Sequence, residues 1–184
     1  SMFLKEVLRQ IPNQNIDSML DLCAAPGGKS LILRDFFHDA VLVSNEIEHK
    51  RSLILRENAI RWGSHQHIVV CSEATKIAKS KVQFDLVLVD APCSGEGMFR
   101  KDLNSRAEWD LARAKGCAMR QSDILKEVDD LVKPDGFLIY STCTFNPQEN
   151  IEQIQYLQSI GYSVVNLEIK PEWGMERDAD GGLQ

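Results

Sequence analysis

The 184-residue chain lacks a long apolar run, a low-complexity segment and an internal repeat. A membrane-spanning helix needs about 20 consecutive apolar residues, and the sequence offers no such run. No basic-then-apolar leader opens the chain, so we expect a cytoplasmic protein. With 43% hydrophobic residues, its length and composition are typical of one globular domain covering residues 1–184.

The five cysteines do not have the spacing of a disulfide framework or of a metal site. Their number is odd, they lie in apolar runs or tight loops, and no C-x-x-C pair occurs, which favours reduced thiols. His65 and His67 stand without nearby cysteines that would complete a zinc site. We therefore expect no bound metal.

The chain also lacks a basic excess, since 27 acidic residues against 21 basic ones give a net charge of −6. A free-standing nucleic-acid-binding domain usually carries an excess of basic residues. Composition alone therefore argues weakly against nucleic acid. Arg100, Lys101 and Arg106 form a local basic strip, although such strips more often form a solvated face.

Strand-length apolar runs alternate with helical patterns, which predicts a doubly wound α/β fold with a mostly parallel sheet and helices on both faces. The predicted strands cover 18–23, 40–45, 67–71, 84–90 and 137–141, with 162–167 as a candidate sixth strand. The predicted helices cover 3–11, 29–37, 48–61, 111–132 and 146–161.

Local signals refine this pattern. Gly63 is placed to cap one helix, and Gly116 is a candidate break in another. Pro134 and Gly136 predict a turn in which proline fixes φ and glycine supplies a positive φ. The long segment 91–110 is typical of a lid or binding loop. Residues 168–184 show no regular pattern, and we expect a loop or tail there.

Two cysteines directly follow predicted buried strands. Cys93 stands in Asp-Ala-Pro-Cys-Ser-Gly-Glu-Gly (90–97), and Cys143 stands in Tyr-Ser-Thr-Cys-Thr (140–144). The carboxyl ends of the strands form the ligand-binding edge of an open α/β sheet. Two thiols at that edge indicate covalent chemistry on a bound substrate. Cys71, in a predicted strand, and Cys117, in a predicted helix, are interpreted as small buried hydrophobic residues.

A second candidate site lies after the first strand, in Asp-Leu-Cys-Ala-Ala-Pro-Gly-Gly-Lys (21–29). Its small residues let a ligand approach the backbone, and Glu46 after the second strand is placed to accept hydrogen bonds from ribose hydroxyls. Neither G-x-G-x-x-G nor G-x-x-x-x-G-K-[ST] occurs, so neither a dinucleotide nor a P-loop is indicated. A nucleoside without phosphates, such as S-adenosylmethionine, needs neither motif. The alternative is that the glycines only turn the chain.

Three segments, 21–29, 90–97 with Arg100-Lys101, and 140–144, resemble signature motifs of the Sun (Fmu-like) RNA 5-methylcytosine methyltransferases. The resemblance spans about residues 2 to 160 and implies a Rossmann-like class I fold that uses S-adenosylmethionine. It implies an RNA substrate, with bacterial ribosomal RNA favoured over transfer RNA. The cofactor-binding residues that it implies are Cys23, Ala24, Ala25, Pro26, Gly27, Gly28, Lys29, Glu46, Arg51, Ser72, Glu73 and Asp90.

The resemblance also implies a covalent mechanism. Carbon 5 of cytosine is a poor nucleophile, and addition of a thiolate to carbon 6 activates it. In this interpretation Cys143 is the nucleophile and Cys93 assists product release. Asp90 hydrogen-bonds the cytosine edge, and Lys29 holds Asp90 or stabilises a thiolate. The target base must leave its stack to reach the thiol.

Other interpretations remain open at this stage. In DNA 5-methylcytosine methyltransferases the nucleophile follows a proline, which would make Cys93 the attacking thiol. The chain could also bind the cofactor without binding RNA, and it would then be inactive on its own. A thiol redox protein is a third hypothesis, against which Glu46 and the missing C-x-x-C argue.

The chain departs from the family pattern in two respects. The aspartate that usually follows the third strand aligns with Ala74, so Ser72 or Glu73 would replace it. Family members also carry an N-terminal RNA-binding extension and further strands. We therefore expect a catalytic-core fragment truncated at both ends, whose open sheet edge permits an edge-strand dimer.

Overall fold

The computed structural model of the chain describes residues 2–12, 15–100, 106–107, 109–178 and 180–183. These residues form two units. The first, called here the sheet unit, contains residues 1–90 and 127–141, and the second, called the thiol unit, contains residues 91–126 and 142–184. Residues 101–105 and 108, which belong to the predicted loop 91–110, lie outside the described part of the chain.

Five strands form the sheet of the first unit in the order β3-β2-β1-β4-β5, and every neighbouring pair is parallel. This order reverses direction at β1, and in such sheets ligands bind outside the carboxyl ends of the strands near the reversal. The strands are β1 (Ser18–Asp21), β2 (Val41–Asn45), β3 (His67–Val70), β4 (Phe84–Asp90) and β5 (Val132–Ser141).

Six α-helices accompany the strands in the described residues: α1 (Met2–Arg9), α2 (Gly28–Phe36), α3 (His49–Trp62), α4 (Ala74–Ala78), α5 (Leu111–Val128) and α6 (Ile151–Ser159). Short 3-10 helices occur at Glu96–Met98 and Pro171–Trp173. None of the helices described has the length and apolar character needed to cross a bilayer.

Both faces of the sheet are buried. Met19, Leu42 and Leu86 point to one face, where they pack with Leu8 of α1 and Leu33 of α2. On the other face Leu20, Val87 and Val89 are also fully buried. Burial on two faces explains the uninterrupted apolar run of β4, which is typical of a central parallel strand. Truncating Leu33 to alanine would cost about 2–5 kcal/mol through lost burial and a cavity.

The predicted α/β class and parallel sheet are confirmed, and several local predictions are corrected. The helix cap at Gly63 is confirmed, with φ 78°. The helix over Leu111–Val128 passes through Gly116 without a break. The helix predicted from residue 146 begins at Ile151, because residues 147–150 form a turn instead.

The segment 162–167 is not a strand, so this prediction was wrong. Val164 and Val165 are 44% and 38% exposed, and none of the described strands pairs with them. An alternating apolar pattern predicts which face of a strand each side chain would occupy. It does not supply the neighbouring strand with which the backbone must form hydrogen bonds.

The turn before β5 also differs from its prediction. The positive φ belongs to Asp135, at 61°, and not to Gly136. Glycine is required at 136 for another reason: a Cβ there would lie 2.8 Å from the carbonyl oxygen of Lys133. Val132 pairs with Phe84, and the regular register resumes only later in β5. The residues between these two points form a β-bulge.

Candidate functional site

Three carboxylates lie at the carboxyl ends of three neighbouring strands of the sheet unit. Asp21 ends β1, Glu46 follows β2, and Asp90 ends β4. Parallel strands bring these ends to one edge of the sheet. Carboxylates there repel a phosphate group and attract a cation, because like charges repel most strongly where water is scarce. The edge therefore suits a ligand without phosphates.

Asp21 is a fully buried acid with one unused oxygen. Its Oδ2 accepts a hydrogen bond from Ser30 Oγ at 2.6 Å, while its Oδ1 has no partner among the described residues. Burial raises the pKa of Asp21 to about 7, and the charge of Asp90 adds to the increase. Buried polar atoms are almost always hydrogen-bonded, so this unpaired oxygen is an exception that agrees with an acid kept neutral by burial.

Glu46 is held in a defined orientation. It is 2% exposed, its Oε1 accepts a hydrogen bond from the backbone N–H of Glu48 at 3.0 Å, and its Oε2 lies 3.1 Å from Nη1 of Arg51. Arg51 Nη2 also donates to the carbonyl of Ala25 at 2.8 Å. Arg51 therefore ties the acidic end of β2 to the loop that follows β1. This contact brings together two residues that the sequence assigned to the same cofactor.

The loop between β1 and α2 is tight. Ala24 N–H donates to the carbonyl of Asn45 at 2.8 Å, and Gly27 N–H donates to the carbonyl of Ala24 at 2.7 Å. Gly27 has φ 111°, which strains any side-chain-bearing residue, and a Cβ there would lie 3.0 Å from Leu55 Cδ1. A Cβ on Gly28 would meet open space. Gly27 is thus required by the backbone, whereas Gly28 leaves room beside the loop.

Cys23, in the same loop, is an unreactive thiol. Burial raises its pKa to about 12, and the nearby charges of Asp21 and Glu46 contribute. A thiol that stays protonated at neutral pH is a poor nucleophile. Cys23 is therefore interpreted as a structural residue of the loop and not as a nucleophile.

Asn45 is a site residue that the sequence prediction missed. Its side chain is buried; Nδ2 donates to the carbonyls of Leu22 and Ser72, and Oδ1 accepts from Ser72 N–H, each at 3.0 Å. Asn45 thereby fixes Ser72 beside the end of β1. Glu73, by contrast, is more than half exposed and lies 3.5 Å from Lys76. The signal for Asn45 was a polar residue ending an apolar strand directly before Glu46.

Asp90 is held by two side chains of the sheet unit. Lys29 Nζ forms an ion pair with its Oδ1, and Ser141 Oγ donates to the same oxygen at 2.8 Å. The pairing of Lys29 with Asp90 is the contact that the sequence motifs implied. Ser141 was missed as a site residue, although it lies within the Tyr-Ser-Thr-Cys-Thr motif. Asp90 remains 37% exposed on its side chain and is therefore accessible to a ligand.

The thiol unit brings Cys93 and Cys143 together. Their Sγ atoms lie 3.1 Å apart, and the backbone N–H of Cys143 donates to Cys93 Sγ at 3.2 Å. Cys143 is exposed and Cys93 is partly buried. The hydrogen bond to Cys143 and burial raise the pKa of Cys93. Two thiolates this close would repel each other, so the ionisation of one sulfur opposes the ionisation of the other.

Backbone contacts fix the two cysteine segments to each other. Gly97 N–H donates to the carbonyl of Cys143 at 2.8 Å, and Phe145 N–H donates to Glu96 Oε2 at 2.9 Å. A Cβ on Gly97 would lie 3.0 Å from the Cys143 oxygen, so glycine is needed for this close approach. The distance between the sulfurs is therefore set by the protein backbone.

The remaining cysteines differ in their surroundings. Cys117 is buried in α5, as predicted. Cys71 is exposed and lies after the end of β3, so the prediction that it is a buried hydrophobic residue was wrong. β3 is an edge strand of the described sheet, and even Ile68 in that strand is 52% exposed. Among the described residues, no group of three His, Cys, Asp or Glu is arranged to hold a metal ion.

The strand order and helices define a Rossmann-like methyltransferase fold. Similar solved structures include a methyltransferase homolog protein from Pyrococcus horikoshii, with TM-score 0.67 and 29% identity, covering 82% of this chain and 51% of that one. NSun6 from Pyrococcus horikoshii with SFG has TM-score 0.80 and 24% identity, covering 91% of this chain and 42% of that one. The latter likeness concerns the fold.

Sequence comparison then identifies the family. The family model described as 16S rRNA methyltransferase RsmB/F matches residues 8–172, and the chain belongs to this family. This is a family of S-adenosylmethionine-dependent methyltransferases, and the Sun-family resemblance is confirmed.

Curated relatives include ribosomal RNA small subunit methyltransferase F of Shewanella oneidensis, 33% identical over 159 residues. The enzyme of the same name from Vibrio parahaemolyticus is 34% identical over 164 residues. Each match covers 85% of this chain, but only 34% and 33% of the respective relatives. The chain therefore spans about one third of the length of these relatives.

Proposed function

We propose that this chain is the catalytic core of an enzyme that transfers a methyl group from S-adenosylmethionine to carbon 5 of a cytosine in RNA, with ribosomal RNA as the favoured substrate. The observation that carries the proposal is the pair of sulfurs 3.1 Å apart at Cys93 and Cys143. Family membership supports the reaction class. Covalent addition to a pyrimidine would give each sulfur of this pair a chemical role.

The residues of the sheet unit fit S-adenosylmethionine. Glu46 would accept hydrogen bonds from the ribose hydroxyls, and the loop 23–29 would lie along the cofactor. Ser72, held by Asn45, would contact the adenine end in place of the usual aspartate. The carboxylates of Glu46 and Asp90 suit a positively charged group. When bound, this cofactor supplies an electrophilic methyl group on a sulfonium.

Cys143 is assigned as the nucleophile. Its thiolate would form a bond to carbon 6 of cytosine, which moves the electrons of the 5,6 double bond to carbon 5. Carbon 5 would then take the methyl group as the methyl–sulfonium bond breaks and a neutral thioether leaves. The proton on carbon 5 must next leave, and the bond between Cys143 Sγ and carbon 6 must break to restore the ring. We assign the removal of the proton from carbon 5 to Cys93, which must by then have given its own proton to solvent so that its thiolate can accept this one. The electrons of the broken carbon–hydrogen bond re-form the 5,6 double bond and expel Cys143 as a thiolate.

The geometry of the thiol pair favours this assignment over its reverse. Cys143 is exposed to an incoming base, whereas Cys93 is partly buried and its pKa is raised by its neighbour. A Cys93 thiol donating to Cys143 Sγ would stabilise the thiolate before attack. Cys93 as nucleophile is the alternative, and it requires the more buried sulfur to ionise first.

Asp90 and Lys29 are assigned to the pyrimidine edge. Lys29 and Ser141 both hold Oδ1 of Asp90, which fixes the direction of the carboxyl group. Protonation of the ring nitrogen would draw electrons away from carbon 6 and favour thiolate addition, and a hydrogen bond from that N–H to the Asp90 carboxylate would stabilise the protonated ring. Lys29 is then a positioning residue for Asp90.

The 184-residue chain should be incubated with S-adenosylmethionine carrying a labelled methyl group and with unmodified 16S ribosomal RNA or transfer RNA. Cofactor affinity is measured separately by calorimetry. Labelled 5-methylcytidine after nuclease digestion would support the proposal, and the RNA that is labelled identifies the substrate. Cys143→Ala should abolish labelling, while Cys71→Ala, at an exposed cysteine outside the thiol pair, should not.

Other outcomes separate the alternatives. Cofactor binding without labelling of either RNA would favour a cofactor-binding fragment that needs further RNA-binding regions. Absence of cofactor binding would contradict both hypotheses. Methylation of a position other than carbon 5 would retain the enzyme class and overturn the covalent mechanism.

A further inference from the structure

A fully buried glutamate lies beside the thiol pair and takes no part in the proposed chemistry. Glu149 is 0% exposed. Its Oε2 accepts hydrogen bonds from Ser94 N–H at 2.8 Å and from Gln121 Nε2 at 3.1 Å. Its Oε1 accepts from Ser94 Oγ at 2.5 Å. Ser94 and Gln121 are themselves buried, so water does not compete for these bonds.

Removing a carboxylate from water is unfavourable unless hydrogen-bond donors replace the lost solvent. Three donors converge on Glu149, and two of them belong to Ser94. Such a cluster holds its members strongly in place, because moving Ser94 away breaks two buried hydrogen bonds at once. The position of Ser94 is therefore fixed by Glu149.

Ser94 connects this carboxylate to both cysteine segments. It directly follows Cys93, and its Oγ lies 2.9 Å from Oγ1 of Thr144, which directly follows Cys143. Gln121 Nε2 also donates to the carbonyl of Pro92, the residue before Cys93, at 2.9 Å. Each of these contacts lies within the thiol unit.

We propose that Glu149 is a positioning residue that holds Cys93 and Cys143 in register through Ser94 and Thr144. Glu149 contacts neither sulfur in any described hydrogen bond, so its effect is on the geometry of the pair. The catalytic consequence rests on the proposed methyl transfer, while the geometric consequence does not. Sequence alone hid this role, because Glu149 and Ser94 are 55 positions apart.

Two substitutions at residue 149 separate hydrogen bonding from charge. Glu149→Leu removes every acceptor and leaves Ser94 N–H and Gln121 Nε2 without their partner. Glu149→Gln keeps one oxygen for these two donors and offers an amide N–H₂ to Ser94 Oγ, whose hydroxyl can turn to donate to Thr144. Glu149→Gln should therefore keep the position of Ser94 that Glu149→Leu disrupts.

The first readout is the rate at which the two cysteines form a disulfide, measured without RNA or cofactor. Glutathione disulfide takes up the two electrons and two protons that the thiols release, giving two molecules of glutathione and one intramolecular bond. Wild type and Glu149→Gln should react at rates within about threefold of each other. Glu149→Leu should react at least tenfold more slowly, since separated sulfurs cannot complete the second exchange step.

The second readout is the kinetics of methyl transfer. Glu149→Leu should lower kcat about 100-fold, as expected for misplaced reacting groups, and leave the KM for S-adenosylmethionine unchanged. Because unfolded molecules would also lower the apparent kcat at an unchanged KM, kcat is expressed per folded molecule, with the folded fraction measured by circular dichroism. Glu152→Leu, at an exposed position in α6, is the matched control and should leave both readouts at the wild-type level.

Thr144→Val provides a second variant in case Glu149→Leu fails to fold. It keeps the shape of residue 144 and removes the contact with Ser94 Oγ, so disulfide formation should again slow at least fivefold. Wild-type rates of disulfide formation in both Thr144→Val and any folded Glu149→Leu protein would overturn the proposal. If the variants form the disulfide slowly but the wild-type chain methylates no RNA, the positioning role stands and the proposed function fails.

Discussion

Replacing Asp21 with asparagine removes an ionisable group from a fully buried position at the end of β1. Burial raises the pKa of this carboxyl from its ordinary value of 3.8 to about 7 in the folded chain. Below pH 3.8 the group is protonated in both states and burial carries no ionic penalty. As pH rises towards 7, the unfolded chain ionises while the folded chain keeps its proton, so stability falls; above 7 the loss is complete.

The size of this effect follows from the two pKa values. One pH unit corresponds to about 1.4 kcal/mol, so the full loss is about 4 kcal/mol, of which about 2 kcal/mol falls between pH 5 and pH 7, because at pH 7 the folded group is itself half ionised. Asparagine keeps an oxygen for the Ser30 hydroxyl and places an amide where Oδ1 stood. An unpaired amide costs about 1–3 kcal/mol, but this cost does not change with pH.

Urea unfolding of the cofactor-free chain at pH 5, 6 and 7, followed by circular dichroism, measures the effect. The free energy of unfolding of Asp21→Asn, relative to wild type, should increase by about 2 kcal/mol across this range. Asp130→Asn is the control, because that side chain is exposed and its replacement should leave the pH profile unchanged. Parallel profiles for wild type and Asp21→Asn would refute the reasoning, since Asp21 would then be ionised in the folded chain throughout.

Three further changes test separate parts of the site. Glu46→Gln should weaken S-adenosylmethionine binding about tenfold in calorimetry, because charged acceptors form stronger hydrogen bonds than neutral ones; unchanged affinity would contradict the ribose role. Gly97→Ala should slow methyl transfer at unchanged cofactor affinity, because its Cβ would press on the Cys143 carbonyl; full activity would contradict this contact. With iodoacetamide at pH 8, peptide mapping should find Cys71 modified and Cys23 protected by its raised pKa. Equal labelling of the two cysteines would contradict the raised pKa of Cys23.

Regular features of the sequence were predictable because they are local. The apolar run of β4, the glycines after β1 and the acidic residue after β2 are each visible within a few positions. The parallel fold follows from the alternation of such segments. Glu46 could be anticipated from its place after the second strand, and the contact of Lys29 with Asp90 was one of two roles that the family motifs implied for Lys29.

The contacts between distant segments could not be read from the sequence. Asn45 holds Ser72 across 27 positions, and Glu149 holds Ser94 across 55, with no periodic signal joining either pair. Residues 162–167 have a strand-like pattern but no partner among the described strands. Cys71 resembled the buried end of an apolar run, yet β3 stops one residue earlier at the edge of the sheet.

The most direct test of the central claim uses RNA in which 5-fluorocytidine replaces cytidine. Fluorine at carbon 5 provides no proton for the release step, so the covalent bond between enzyme and base should persist after methyl transfer. With S-adenosylmethionine present, digestion and mass spectrometry should find a methylated fluorocytidine attached to the peptide that contains Cys143. Attachment to Cys93, or inhibition without any protein–RNA bond, would contradict the account.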